Sequence, residues 1–260
     1  PKVPVVVGES HPETDLVFER KVLYTNISEP EFMGSRTTVM SLLTFADKVE
    51  PSLWDRHEEI LSGMDLQGEY QRKNLRTVLC ALDVLSPLLN YSQDESVLRS
   101  AIIHAALRTG FRGRWEKISD DPWVICDIGH NEHGLNYNFS QLDRMRKEGE
   151  CTDLIIVYGS VADKDVDAVI GLFPDDAVMV FTQASSSRAL PADVIKDKYI
   201  ASLQAAGRDA GELHVCEDVR SAVEKACGIA SSLKKNDAGS KPLVYIGGST
   251  YVVSEAVGVL

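Results

Sequence analysis

The chain has 260 residues, of which 44% are apolar, enough for one large domain or two modest ones with a substantial buried core. Its formal net charge of −12 repels a phosphate backbone, which argues against nucleic-acid binding by general electrostatics but leaves room for a small anion at a local basic spot. No apolar run approaches the roughly 18 residues of a membrane span, and the opening Pro1-Lys2-Val3-Pro4 lacks the charged head and cleavage site of a signal peptide, so a cytoplasmic protein with no membrane partner is expected.

The first residue is Pro1 rather than Met, which suggests a piece of a longer protein, with motifs absent here lying upstream. Cys80, Cys126, Cys151, Cys216 and Cys227 are odd in number and widely spaced, unlike a disulfide framework or a CxxC zinc site, and are expected to be reduced core thiols. The chain opens on Val3–Gly8, a β-branched run ended by glycine, and a second strand is expected at Phe18–Tyr24. From Thr25 to Met64 the apolar residues hold neither period for long, and two extended ribbons are expected there. Leu75, Val78, Leu79, Leu82 and Leu85 recur at three- and four-residue steps, which predicts an amphipathic helix from Asn74 at its mouth to about Leu89, with Pro87 near its end. A second helix is predicted at Ser96–Thr109, with Val97, Ile102, Ile103 and Leu107 inward and Gly110 as its stop.

Beyond Gly110 the pattern changes to strands and helices in alternation, the signature of an α/β fold with a largely parallel, Rossmann-like sheet and helices on both faces. Strands are expected at Trp123–Asp127, Leu154–Gly159, Ala177–Thr182, Glu212–Cys216 and Leu243–Ile246. Helices are expected at Leu135–Lys147, Lys164–Leu172, Pro191–Ala206, Val219–Leu233 and Tyr251–Leu260, and the domain boundary is placed near Gly110.

In such a sheet ligands lie beyond the C-terminal strand ends, where loops and helix N-termini present free N–H groups. The first such loop, Asp127-Ile128-Gly129-His130-Asn131-Glu132-His133-Gly134, is dense in polar and small residues. An Asp there can hold a metal-bound water or a ribose hydroxyl, a His can donate to an anion, and an Asn can cap the helix, although turns favour Asp, Asn and Gly in any case. In the second loop, Gly159 to Asp165, Asp163 reads equally as an N-cap and Lys164 as a solvated charge. Gly247-Gly248-Ser249 permits close backbone approach and a cap from Ser249. Arg112-Gly113-Arg114 sets two guanidiniums beside a glycine, a grip for phosphate or a plain surface pair. His130 and His133 form HxxH without the further ligands a zinc site needs, and GxSxG, HExxH and GxxxxGK[ST] do not occur.

Gly113-Arg114-Trp115-Glu116 followed by Asp127-Ile128-Gly129-His130-Asn131 resembles the GR-x-(E/Q) and D-G-A-H-N elements of the folylpolyglutamate synthase/dihydrofolate synthase family, within the Mur ligase superfamily. Gly68-Glu69-Tyr70-Gln71-Arg72-Lys73-Asn74 is similar to the family's G-x-(H/Y)-Q-x-x-N element. Gly159–Asp165, Gly247–Tyr251 and Pro4–Glu9 resemble further family segments in the same order, while Ile128 and Gly129 depart from the second and third positions of D-G-A-H-N. The resemblance implies residues 1–110 as the C-terminal remnant of an ATPase domain and 111–260 as a Mur-ligase-like C-terminal domain. The P-loop part and the metal ligands would lie upstream. It implies an enzyme, monomeric as the full-length parent, that uses ATP and Mg2+ to join L-glutamate to folate or dihydropteroate through an acyl phosphate; the piece by itself would be inactive. Asn74 would contact adenine, Arg114 the phosphates, Asp127 the ribose or its neighbourhood, and His130 the nucleotide and the reacting carboxylate, with Asp127 and His130 as the catalytic pair. Ser249 would lie on the glutamate side, and Lys164 would contact substrate. Arg114, Asp127 and His130 should then lie together at the C-terminal edge of the sheet, partly exposed and unclaimed by core packing. The competing reading is a non-catalytic Rossmann-like nucleotide-binding or regulatory module; an oxidoreductase domain lacks its GxGxxG.

Overall fold

The computed structural model describes residues 3–26, 42–89 and 94–260. They fall into two compact units, Pro1–Asp65 with Glu69–Gly110, and Leu66–Gly68 with Phe111–Leu260.

In the first unit, β1 (Val5–Val7) pairs in parallel with β2 (Leu43–Phe45). Between them runs α1 (Asp15–Asn26), where a strand at Phe18–Tyr24 was expected. The segment contains no glycine or proline, and it is started by Asp15, whose carboxylate accepts from His11 N–H at 2.7 Å and Ser10 Oγ at 2.6 Å. Phe18 and Val22 then stand one turn apart, and Val22 is buried. Of the two ribbons expected from Thr25 to Met64, residues 27–41 lie outside the described residues; the remainder holds β2 and a helix, α2 (His57–Gly63). The predicted helix at 74–89 begins three residues earlier, as α3 (Gln71–Leu89) with Pro87 inside it. Leu75 and Leu79 enter the core, whereas Val78 and Leu85 are exposed.

The single helix expected at 96–109 is two, α4 (Glu95–Ile103) and α5 (Ala105–Thr109), because Asp65 takes the N–H groups of Ala106 at 3.1 Å and Leu107 at 2.8 Å and so caps a new start. Val97 and Leu107 are therefore exposed, at 59% and 79%, rather than inward. Gly110, at φ 68°, closes α5.

The second unit is a six-stranded sheet ordered β3-β4-β8-β5-β6-β7. Its strands are β3 (Glu116–Asp120), β4 (Trp123–Cys126), β5 (Asp153–Tyr158), β6 (Val178–Phe181), β7 (Leu213–Val215) and β8 (Pro242–Gly247). All neighbours are parallel except β3 on β4, an edge strand that the sequence Glu-Lys-Ile-Ser-Asp concealed because none of it is buried. The helices are α6 (Glu132–Lys147), α7 (Asp167–Ile170), α8 (Ala192–Ala205), α9 (Val219–Asn236) and α10 (Thr250–Val257). Side chains alternate across β5 and β8: Ile156, Tyr158 and Tyr245 pack with α6, α7 and α8, while Ile155, Val157 and Val244 pack with α9 and α10. The sheet is thus covered on both faces, as the alternating pattern predicts. All five cysteines are free thiols; Cys80, Cys126 and Cys151 are buried, and Cys216 and Cys227 are half-buried.

Candidate functional site

Because β4, β8, β5 and β6 run parallel, their C-terminal ends share one edge, and the loops after Cys126, Gly247, Tyr158 and Phe181 gather there. The glycines fit this crowding. A Cβ on Gly248, at φ 95°, would lie 2.3 Å from the Tyr158 ring, and one on Gly159 would lie 2.6 Å from the Thr182 carbonyl oxygen.

Two turns are bound into one unit at that edge. Ile128 N–H donates to the Gly113 carbonyl at 2.8 Å, and Trp115 N–H donates to Asp127 Oδ2 at 2.8 Å. Glu116 closes the first turn from beneath, accepting from Gly113 N–H at 2.7 Å and from the Arg112 guanidinium at 2.5 Å. Gly113 has φ 77°, and a Cβ there would press on Ile128 and Val253 at 2.8 and 2.9 Å. Trp115 itself holds φ 47°, a conformation that residues other than Gly, Asn and Asp seldom adopt, and its buried ring and its bond to Asp127 maintain it.

Asp127 is not the open carboxylate that was expected. It is 1% exposed, Oδ2 holds Trp115 N–H, and Oδ1 holds Gly129 N–H at 2.7 Å and Asn138 Nδ2 at 2.9 Å. Engaged on both oxygens inside the protein, it braces the two turns. Gly129 is needed there, since a Cβ would lie 2.8 Å from Asp127 Oδ1.

Arg114 and His130 project from these turns and are half-buried. The Arg114 guanidinium lies over the Phe111 ring at 6.0 Å and, among the described residues, has neither a carboxylate nor a hydrogen-bond partner. His130 Nδ1 is 3.1 Å from the Ile128 carbonyl oxygen. A carbonyl only accepts, so Nδ1 carries the proton, and Nε2 is left to accept when neutral or to donate when the ring is charged. Asn131 caps α6, its Oδ1 accepting from Gly134 N–H at 2.8 Å.

The remaining candidates divide. Lys164 is exposed beside Asp163, whose pKa is held down by the hydrogen bond from Arg188 at 2.7 Å. The loops carrying Asp163 and Arg188 are zipped by backbone bonds, Ala162 N–H to Arg188 O at 2.8 Å and Leu190 N–H to Ser160 O at 2.9 Å. Ser249 is 3% exposed, and its hydroxyl accepts from Tyr251 N–H at 3.2 Å, so it is the N-cap of α10. Asn74, in the first unit, lies in the first turn of α3 rather than at its mouth, and donates to Gln71 Oε1 at 2.9 Å. Among the described residues no group of three or more His, Cys, Asp or Glu is placed to hold a metal ion, so the HxxH pair has no third ligand. A cavity of about 210 Å³ lined by Asp121, Trp123, Lys234 and Lys241 opens at the opposite edge, by the starts of β4 and β8.

Residues 113–238 match the family described as Mur ligase, glutamate ligase domain. That match lies within the second unit, which is similar to the glutamate ligase domain of the Mur ligases. The resemblance drawn from the sequence motifs is borne out by two curated relatives. A probable bifunctional folylpolyglutamate synthase/dihydropteroate synthase of Haloferax volcanii is 27% identical over 195 residues, 74% of this chain and 20% of that protein. A dihydrofolate synthase/folylpolyglutamate synthase of Buchnera aphidicola is 33% identical over 82 residues, 31% of this chain and 18% of that protein. The chain therefore spans about a fifth of the length of these relatives. The fold is shared with Mycobacterium tuberculosis folylpolyglutamate synthase complexed with ADP, at TM-score 0.56 and 22% identity over 75% of this chain and 40% of that one. It is shared also with E. coli FolC in complex with DHPP and ADP, at TM-score 0.53 and 20% identity over 72% of this chain and 38% of that one.

In the second unit two buried polar residues, Asn138 and Tyr245, are not marked out by any motif. The signal was present: Leu135, Asn138, Phe139, Leu142 and Met145 form the buried stripe of α6, and Asn138 is the polar residue in it that is 0% exposed.

Proposed function

We propose that the parent of this chain is an ATP-dependent ligase that joins L-glutamate to a folate or to dihydropteroate, with residues 1–110 as the remnant of its ATPase domain and 111–260 as the domain that covers the nucleotide. The observation that carries this reading is Arg114: a guanidinium without a carboxylate partner among the described residues, presented from a rigid turn in a protein of net charge −12. A cation kept free among so many acids is available to an anion. The Mur ligase match and the folate-linked relatives supply the chemistry that such an anion would enter.

In that reaction a folate carboxylate oxygen attacks the γ-phosphorus of ATP, and ADP leaves with the electrons of the broken P–O bond. The amine nitrogen of glutamate then attacks the acyl carbon; the C–O bond to phosphate breaks, the amide forms, and the nitrogen releases its proton. Arg114 would bind the charged phosphate oxygens, and His130, with Nδ1 fixed on the Ile128 carbonyl, would turn Nε2 toward the nucleotide and the reacting carboxylate. Asp127 acts through the turns it holds. Lys164, exposed at the same edge, supplies a cation for substrate, and Ser249, whose oxygen caps α10, keeps its O–H to donate toward the glutamate. Mg2+ would lower the charge repulsion among the phosphates, with its ligands in the upstream part of the parent. The 260-residue chain alone is expected to lack ligase activity.

The test is folate-dependent ADP formation by the full-length parent with L-glutamate and each acceptor. Arg114→Ala and His130→Ala should each lower turnover by about 10²-fold, the scale of losing one charge-stabilising donor. A parent with no acceptor-dependent ADP release, or variants as active as the parent, would refute the reading.

A further inference from the structure

Asn138 stands where the α6 stripe calls for an apolar residue. Its Nδ2 donates to Asp127 Oδ1 at 2.9 Å and to Tyr245 Oη at 2.8 Å, while its Oδ1 is shielded from water with no hydrogen-bond partner among the described residues. An unsatisfied buried carbonyl costs about 1–3 kcal/mol, a cost that leucine would avoid. The amide is therefore explained by what its nitrogen holds. Tyr245, 0% exposed, lies against Gly247, where a Cβ would come within 2.6 Å of its hydroxyl. One buried chain of contacts thus runs from the turn after β8, through Tyr245 and Asn138, to Asp127 and the two turns that carry Arg114 and His130.

We propose that Asn138 and Tyr245 are positioning residues, which fix the Asp127 carboxylate so that Oδ2 holds the Trp115 amide and Oδ1 the Gly129 amide. They thereby set the turns from which Arg114 and His130 reach the nucleotide. The part concerning the nucleotide rests on the ligase reading. Neither side chain touches substrate; both act through Asp127. Fixing the carboxylate matters because each oxygen serves a different turn, and a rotation about its Cβ–Cγ bond would release both N–H donors together. The strained φ of Trp115 would then have no bond to hold it.

The first measurement needs no activity. In the 260-residue chain, Asn138→Leu should speed amide hydrogen exchange at Trp115 and Gly129 by about tenfold, the loss expected from one weakened hydrogen bond. Exchange at Ile156 and Val157 in β5 should stay as before. Faster exchange everywhere would mean plain loss of stability and would overturn the proposal, as would unchanged exchange at the two turns. Should Asn138→Leu fail to fold, Tyr245→Phe keeps the ring and removes the hydroxyl, and is expected to act on the same two amides to a smaller extent. In the full-length parent either variant should lower kcat and raise KM for ATP, each by up to about tenfold, while KM for the folate acceptor holds, since the turns carry both the nucleotide grip and His130. An even loss across all substrates would overturn the nucleotide part. Failure of the ligase reading shows separately, as an unsubstituted parent without acceptor-dependent ADP release.

Discussion

The two units of this chain hold their candidate residues by different means. In the second, strands of up to six residues lie between helices on both faces, and Asp127 is locked among side chains with almost no exposure. In the first, the strands have three residues each and none is fully buried, and nine of the fourteen exposed large apolar side chains among the described residues belong to it. Asn74 is held there by a single bond to a neighbour one turn away in its own helix. A polar group can be fixed at several points only where a dense core forbids the alternatives, because a buried donor left unpaired is costly and an exposed one turns to water. Preorganisation of the candidate site is thus a property of the second unit.

The strongest challenge to this contrast is to cut the core in one place and the surface in the other. Ile156→Ala, at a fully buried position in β5, should destabilise the second unit by about 2–5 kcal/mol in urea unfolding. Val97→Ala in the first unit, where the side chain is 59% exposed, should change stability by less than about 0.5 kcal/mol. Equal shifts would show that burial does not separate the two units.

Alkali should sharpen the contrast with a smaller effect. Burial pushes the Cys126 thiol from 9.0 up to about 12 and the Tyr158 hydroxyl from 10.0 up to about 12. Between pH 9 and 12 the unfolded chain loses these protons while the folded one keeps them, so stability is full below pH 9 and falls as pH rises. With both groups the loss is roughly 2 kcal/mol by pH 10. Urea midpoints measured from pH 8 to 10 should decline for the second unit, and Cys126→Ala should flatten the first part of that decline. A flat profile with the native thiol would mean that Cys126 ionises freely.

The elements of the second unit were legible because parallel strands buried on both faces read as continuous apolar runs between helices of clear period. What was hidden followed from the same physics. β3 is an edge strand with none of its five residues buried and two exposed, so Glu116–Asp120 shows no apolar run. In the first unit the run from Phe18 to Tyr24 resembles a strand because it is short and mixed, and the capping of α1 by Asp15 is a matter of side-chain geometry that spacing does not reveal. The site was legible as a set of turns, but not in how its members divide the work. Asp, Arg and His in neighbouring loops read alike as ligand contacts, and only burial shows that Asp127 faces inward while Arg114 does not.

That division yields the smallest expected change in stability. Arg114 and Arg146 both belong to the second unit, and each is partly buried. Arg146 donates from both terminal nitrogens to Asp176; the pair holds the pKa of Asp176 down and raises that of the arginine. Arg146→Ala removes a two-pronged ion pair at the surface, worth up to about 1 kcal/mol and less at high salt. Among the described residues Arg114 has only a loose stack on Phe111, a ring that is itself 45% exposed. Arg114→Ala should therefore leave the unfolding free energy from urea titration within about 0.5 kcal/mol of the original at any salt concentration. If Arg114 serves the fold, its removal should cost as much as that of Arg146 and show the same salt dependence. If it is held in reserve for an anion, the midpoint stays where it was, and the loss appears only in nucleotide-dependent turnover of the parent.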